Sequence, residues 1–195
     1  MVRWEPGARE RLQAAALELY VHQGYEQTTA AEIARAVGLT ERTFFRHFAD
    51  KREVLFHGQE EFRQVFVSGV VSAPAGGTPL ELVAAALAAA ATFFPDERRS
   101  YSRLRQQVID AHPALQEREL LKLAAVADAV GAALRDRGVA EPAATLAAES
   151  GLTVFRVAFV EWLADEGRSM LTVVREVLGE LGTTTAGAAG ALPPG

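Results

Sequence analysis

Cysteine is absent from this 195-residue chain, so neither a disulfide framework nor a thiolate metal site is open to it. Long apolar runs are missing as well. The Ala-rich stretch from Leu82 to Pro95, which carries no charge, has 14 residues, short of the roughly 20 that cross a bilayer. The N-terminus carries Glu5 and Pro6 and no apolar segment, so no secretion signal is expected. Catalytic signatures are wanting too: there is no Gly-rich phosphate loop, no G-x-S-x-G and no H-E-x-x-H. The Glu-x-x-His pairs of di-iron bundles do not occur, and Glu18 with His22 leaves only scattered histidines such as His57 and His112. No catalytic residue, metal ligand or cofactor is therefore expected.

An excess of positive charge is the last absence. The net charge is −5, which excludes a protein that coats nucleic acid. Its distribution is uneven, however. Residues 33–52 hold Arg35, Arg42, Arg46, Lys51 and Arg52 against only Glu41 and Asp50. A small basic patch on an acidic body suits sequence-specific binding with weak non-specific affinity.

What fills the chain is helical periodicity. Leu12, Ala16, Leu19 and Tyr20 recur at helical spacing over Pro6–Gln23, and Gly24 ends that run. Before it, Arg3 and Trp4 form a short arm, either a minor-groove contact or a frayed terminus. Thr29 with Glu32 has capping-box spacing and starts a helix near Ala30. Ile33 and Val37 share a face of it, Ala34 permits a close crossing, and Gly38 supplies a tight turn. Thr40 caps the next helix, where Phe44 and Phe48 point inward one turn apart. Arg42, Thr43, Phe45, Arg46 and His47 are left on its other faces, and Asp50 with Glu53 has the spacing of another capping box. This is the sequence form of a helix-turn-helix, whose second helix enters the DNA major groove. An ordinary pair of short core helices shares its small residue, glycine and spaced apolars.

Ala16, Leu19, Gly24, Tyr25, Thr28, Thr29, Ile33, Ala34, Gly38, Thr40, Thr43, Phe45, Phe48, Lys51 and Leu55 go further. Their identities and spacing resemble the N-terminal signature of the tetracycline-repressor-type (TetR) family. The resemblance implies an all-α protein of about nine helices. Residues 1–50 would form a three-helix helix-turn-helix DNA-binding domain, 51–182 a helical ligand-binding and dimerisation domain, and 183–195 a flexible tail. It implies a cytoplasmic transcriptional regulator, a repressor released from a palindromic operator in double-stranded DNA by a small molecule. Carried over by position, Thr28, Thr29, Thr40, His47 and Lys51 look like phosphate-contacting or cap residues. Arg42, Thr43 and Phe45 look base-facing, and Arg46 is a further backbone candidate. Phe45 stands where the family commonly has Tyr, so a hydroxyl able to bond a phosphate is missing. The alternative is a helical ligand-binding or protein-interaction module that has lost DNA binding.

Beyond the head, the pattern predicts one long helix from Lys51 to Val71, a natural coupling element. Thr78 with Glu81 has capping-box spacing, with Pro79 at the first turn, and starts a helix over about 80–94; others follow over about 96–109, 113–137, 142–165 and 168–181. Between Ala143 and Ala164 only Glu149, Arg156 and Glu161 are charged, so this helix needs cover on more than one side. That predicts a homodimer through the last two helices, without membrane association. Aromatics recur on helices expected to converge, and Phe62, Phe66, Phe94, Tyr101, Phe155, Phe159 and Trp162 with Leu104, Arg105 and Val108 are candidates for an effector pocket. Plain core packing is the alternative for several of them. Arg103, Arg105 and His112 are candidates for its polar end, and the effector expected is a large apolar molecule.

Overall fold

The computed structural model describes residues 7–186, and among them nine α-helices and two 3₁₀ turns make an all-α fold. The arm at Arg3 and Trp4 and the tail beyond residue 186 lie outside the described residues. The chain forms two compact units. One comprises the described part of Met1–Gln59 with Tyr101–Leu120, the other Glu60–Ser100 with the described part of Leu121–Gly195.

The first unit holds α1 (Ala8–Gln23), α2 (Ala30–Ala36), α3 (Glu41–His47) and a 3₁₀ turn at Glu53–Phe56. The predicted capping box of α2 is closed at both ends: Thr29 Oγ1 accepts from Glu32 N–H at 3.2 Å and Glu32 Oε2 accepts from Thr29 N–H at 2.9 Å. Those bonds hold the Glu32 carboxyl below its usual pKa. The exit of α2 is equally regular. Gly38, at φ +71°, donates to Arg35 O while Leu39 N–H reaches back to Ala34 O, the paired bonds of a glycine C-cap. Leu12, Ala16, Tyr20, Ile33, Phe44 and Leu55 are buried together with Val108 and Ile109 of α6 (Arg99–Asp110) and Leu115 of α7 (Pro113–Asp136).

The single helix expected from Lys51 to Val71 is not formed. Gly58 takes φ +84°, a left-handed backbone that an α-helix cannot contain. It separates the 3₁₀ turn from α4 (Gln59–Ser72). The expected capping box is also only half made: Asp50 Oδ1 accepts from the N–H groups of Arg52 and Glu53, while the Glu53 carboxylate turns to Arg118. A coupling role resting on one unbroken rod therefore loses its basis.

In the second unit, α5 (Pro79–Ala91) begins with the predicted Thr78–Glu81 capping box and proline at its first turn. Helix α4 crosses α5 so closely that a Cβ on Gly69 would lie 2.5 Å from Ala86 Cα. Helices α8 (Ala143–Ala164) and α9 (Met170–Thr185) complete the unit. The ninth helix runs past the expected end at 181, with Thr183 and Thr185 bonding back to carbonyls one turn earlier. Two arginines fasten helix ends here. Arg99, 4 % exposed, donates to the carbonyls of Trp162, Asp165 and Arg168 and pairs with Asp96. Arg137 donates to the carbonyls of Val70 and Val71 in the last turn of α4 and of Ala73 and Pro74 just beyond it. Helix α8 alone, among the described residues, has the length and hydropathy to cross a membrane unbroken, although no fully uncharged run in the sequence is that long. Its Ala148, Leu152, Phe155, Ala158 and Trp162 are buried in the core, whereas Leu146, Val157 and Val160 are exposed.

Candidate functional site

Nine residues of the head were expected at DNA, and their surroundings separate them into two groups. The Thr28 side chain is buried; its hydroxyl donates to Gly24 O at 2.7 Å and accepts from Gln23 Nε2. Thr29 is occupied by its capping box with Glu32. Thr40 caps α3 by accepting from Thr43 N–H, and the two hydroxyls bond one another at 3.0 Å. Lys51 Nζ donates to three carbonyls, those of Tyr25 at 2.7 Å, Thr28 at 3.0 Å and Glu26 at 3.2 Å. An ammonium has three N–H donors, so this set uses all of them. The same nitrogen sits 4.4 Å above the Tyr25 ring. Tyr20, whose pKa burial pushes upward, donates its hydroxyl to Lys51 O at 2.6 Å. Lys51 is thus a clasp between the α1–α2 turn and the segment after α3. His47 is half-buried, with Nε2 out of solvent and unbonded among the described residues.

The remaining three, Arg42, Phe45 and Arg46, are exposed on α3. Neither arginine makes an ion pair or side-chain hydrogen bond among the described residues. Positions 42 and 46 lie one turn apart on the side of the helix opposite the buried Phe44, and position 45 lies on the flank beside them. The Phe45 ring is 51 % exposed.

Sequence reading missed what holds the segment after α3. Arg118 makes a two-armed pair with Glu53, 2.8 and 2.9 Å, and donates to Gln59. Arg105 donates to Leu55 O and pairs with Glu119 at 2.7 Å. The two guanidinium groups stand 4.8 and 5.2 Å from the Phe56 ring. No linear pattern marks partners that lie 65 and 50 positions apart.

The ten effector-pocket candidates divide between the units. Phe62, Phe66, Phe94, Phe155, Phe159 and Trp162 form one continuous cluster in the second, with Phe93. Its successive rings lie 5.1–5.9 Å apart. Cations stand over it: Arg98 over Phe93, Arg99 over Trp162 and Lys122 over Phe62. Tyr101, Leu104, Arg105 and Val108 belong to the first unit. There Val108 is core, Tyr101 packs on that core, Arg105 is tied as described, and Leu104 is exposed. His112, a candidate polar end, lies against Tyr25 with centroids 5.1 Å apart. A separate open groove of about 630 Å³ runs along α4 and α5, lined by Glu60, Glu61, Gln64, Ser68, Gly69 and Thr92 among others.

Comparison with known proteins agrees with this architecture. Residues 12–57 match the family described as bacterial regulatory proteins, tetR family, and residues 77–186, more than half of the chain, match the MftR C-terminal domain. The HTH-type transcriptional regulator TcmR of Streptomyces glaucescens is 43 % identical over 81 residues, 42 % of this chain and 36 % of TcmR. The match therefore spans about a third of that relative's length. Bacillus subtilis FadR in complex with stearoyl-CoA has the same fold, with a TM-score of 0.63 at 16 % identity over 88 % of this chain and 96 % of that one. So has Thermus thermophilus FadR, a TetR-family repressor in complex with lauroyl-CoA, with a TM-score of 0.53 at 20 % identity over 96 % of each chain. With a tetR-type head at residues 12–57 and a family-specific helical region over 77–186, the chain belongs to the TetR family of bacterial transcriptional regulators.

Proposed function

We propose that the protein is a repressor that binds a pseudopalindromic operator in double-stranded DNA as a homodimer and leaves it when an apolar small molecule occupies the second unit. The DNA-binding part rests on one observation. Arg42, Phe45 and Arg46 face outward from α3 while the side chains of Thr28, Thr29, Thr40, Thr43 and Lys51 are committed to caps and bonds within the head. Those three are the reading residues; the threonines and Lys51 act by positioning. An unpaired arginine suits a guanine edge or a phosphate. This favours the DNA-binding reading over a module that has lost it.

Dimerisation is supported by the exposed side of α8, where Leu146, Val157 and Val160 are 63, 44 and 62 % exposed. A second copy placed there would bury them. For the effector, the support is the aromatic cluster with Arg98 and Lys122 over its rings. That combination suits a large apolar molecule with an anionic group. The reading places the protein in the cytoplasm, treats α8 as a core helix, and assigns no catalysis and no cofactor.

The test is selection from a random DNA pool by ligand-stripped protein, followed by binding of the winner across a salt series. An enriched inverted repeat, bound less tightly as salt rises, is the expected result. No enrichment would favour the module without DNA binding.

A further inference from the structure

Phe45 is the most exposed large apolar side chain among the described residues of the head. Its neighbour Phe44 is fully buried and lies edge-on to it, with centroids 5.4 Å apart and an interplanar angle of 86°. Phe45 itself is half out in solvent, between Arg42 one turn earlier and Arg46 beside it. We propose that Phe45 is a specificity residue whose ring rests on the C5-methyl group of a thymine in the major groove; this presupposes the operator-binding reading above.

Three considerations converge on that contact. A phenyl ring has no donor or acceptor, so it can recognise neither a phosphate nor the hydrogen-bonding edge of a base. In the major groove the apolar feature that distinguishes one base from the rest is the thymine methyl. The flanking charges supply the second consideration. Arg42 and Arg46 carry two cations with no ion-pair partner among the described residues on the face that holds the ring, in the stretch where basic residues outnumber acidic ones five to two. Polyanionic DNA is the partner that complements such a face, and phosphate or guanine contacts on either side would press the ring toward the base edges. The third is preorganisation. Edge contact with the fixed Phe44 restricts the ring before binding, so little rotamer freedom remains to be lost.

The inference is read at a single methyl group. Each thymine of the selected operator is replaced in turn by deoxyuridine, which lacks only that methyl. Each DNA is then titrated with the wild-type protein and with Phe45→Ala. Because Phe45 is half exposed, the alanine variant is expected to stay folded with only a small fall in the unfolding midpoint, measured alongside. One thymine per half-site should respond, its replacement weakening wild-type binding about fourfold and replacement in both half-sites roughly fifteenfold, as expected for one buried methyl each. The same replacements should leave Phe45→Ala unaffected. Equal wild-type affinity for every deoxyuridine variant would overturn the inference, as would an equal loss in Phe45→Ala. In both of those cases the selected operator is still bound, so the operator-binding reading survives. Failure to select any sequence would overturn both together.

Discussion

Replacing Lys51 by methionine separates a clasp from a phosphate contact. The substitution keeps the length and apolar stem that cover Tyr25, and removes only the charge and its three donated bonds of 2.7, 3.0 and 3.2 Å. A hydrogen bond from a charged donor contributes about 1.5–3 kcal/mol when its partner is left bare. Of these bonds the one to Glu26 is exposed and those to Tyr25 and Thr28 are part-buried, so water recovers much of the loss. The net cost to the first unit should be about 2–3 kcal/mol. Native-state hydrogen exchange reads that unit separately, and its most protected amides in α1–α3 should exchange roughly 30- to 150-fold faster. DNA affinity should fall for every sequence, because the head is less well held, but the slope of affinity against salt should not change. A lysine that neutralises a phosphate would instead reduce that slope by nearly one counterion. Unchanged exchange with a shallower salt slope would refute the clasp and restore Lys51 as a DNA contact.

Arg42→Ala should relax base preference at one position per half-site and leave the unfolding midpoint unchanged; an equal affinity loss across all sequences would reassign Arg42 to the backbone. Gly69→Ala gains about 1 kcal/mol of helix propensity, but its Cβ would meet Ala86 Cα at 2.5 Å. Overpacking of about 1–3 kcal/mol should win, and a urea midpoint at or above wild type would contradict the tight crossing. A double-mutant cycle of Glu53→Gln and Arg118→Met should give a coupling of about 1–2 kcal/mol in the exchange of the first unit, since the two side chains are only 25 and 18 % exposed. In the second unit, Arg99 and then Trp162 hold the Asp96 carboxyl below its usual pKa. The stability it contributes is complete above the ordinary aspartate range and is lost as pH falls through the lowered folded value. Asp96→Asn should therefore be less stable than wild type at pH 7, with the gap closing in acid, as followed by urea unfolding at each pH.

The features legible in the sequence are those whose partners lie within one helical turn. Thr29 with Glu32, Thr78 with Glu81 and Gly38 after α2 are all local devices, and each appears where its spacing predicted. Phe44 and Phe48 inside and Phe45 outside follow from helical period alone. Gly58 shows the limit of that method. An isolated glycine within an amphipathic run is compatible with a continuing helix, and the contacts that accompany the broken form, Glu53 with Arg118 and the burial of Val54, Leu55 and Phe56, involve partners far along the chain. The bonds of Lys51 are hidden from local spacing for the same reason: its carbonyl partners are 23–26 positions away. The aromatic cluster was visible as composition, but periodicity could not say that Tyr101 and Val108 serve a different core from Phe62 and Phe155.

The size of the reading face bears on why this chain would act in pairs. Helix α3 has seven residues, too few to persist without tertiary support, so its inward side chains and both flanks are taken up by packing, caps and clasp. Of its four exposed side chains, Glu41 carries the wrong sign for DNA, which leaves Arg42, Phe45 and Arg46 to read it. One well-placed bidentate contact discriminates by about 1–3 kcal/mol, and a methyl contact adds less than one such step, about 0.8 kcal/mol. A lone head of this composition would separate its site from random DNA by only a few kcal/mol, at the low end of what sequence-specific binding requires. Two heads held in one particle add their discrimination, because both half-sites must be satisfied at once. On the proposed reading, the exposed flank of α8 is then as much a determinant of specificity as α3. A charge placed at Val157 or Val160 should cost sequence selectivity without touching the DNA-facing residues, measured as the ratio of operator to random-DNA affinity. An unchanged ratio would mean that each head reads its half-site alone.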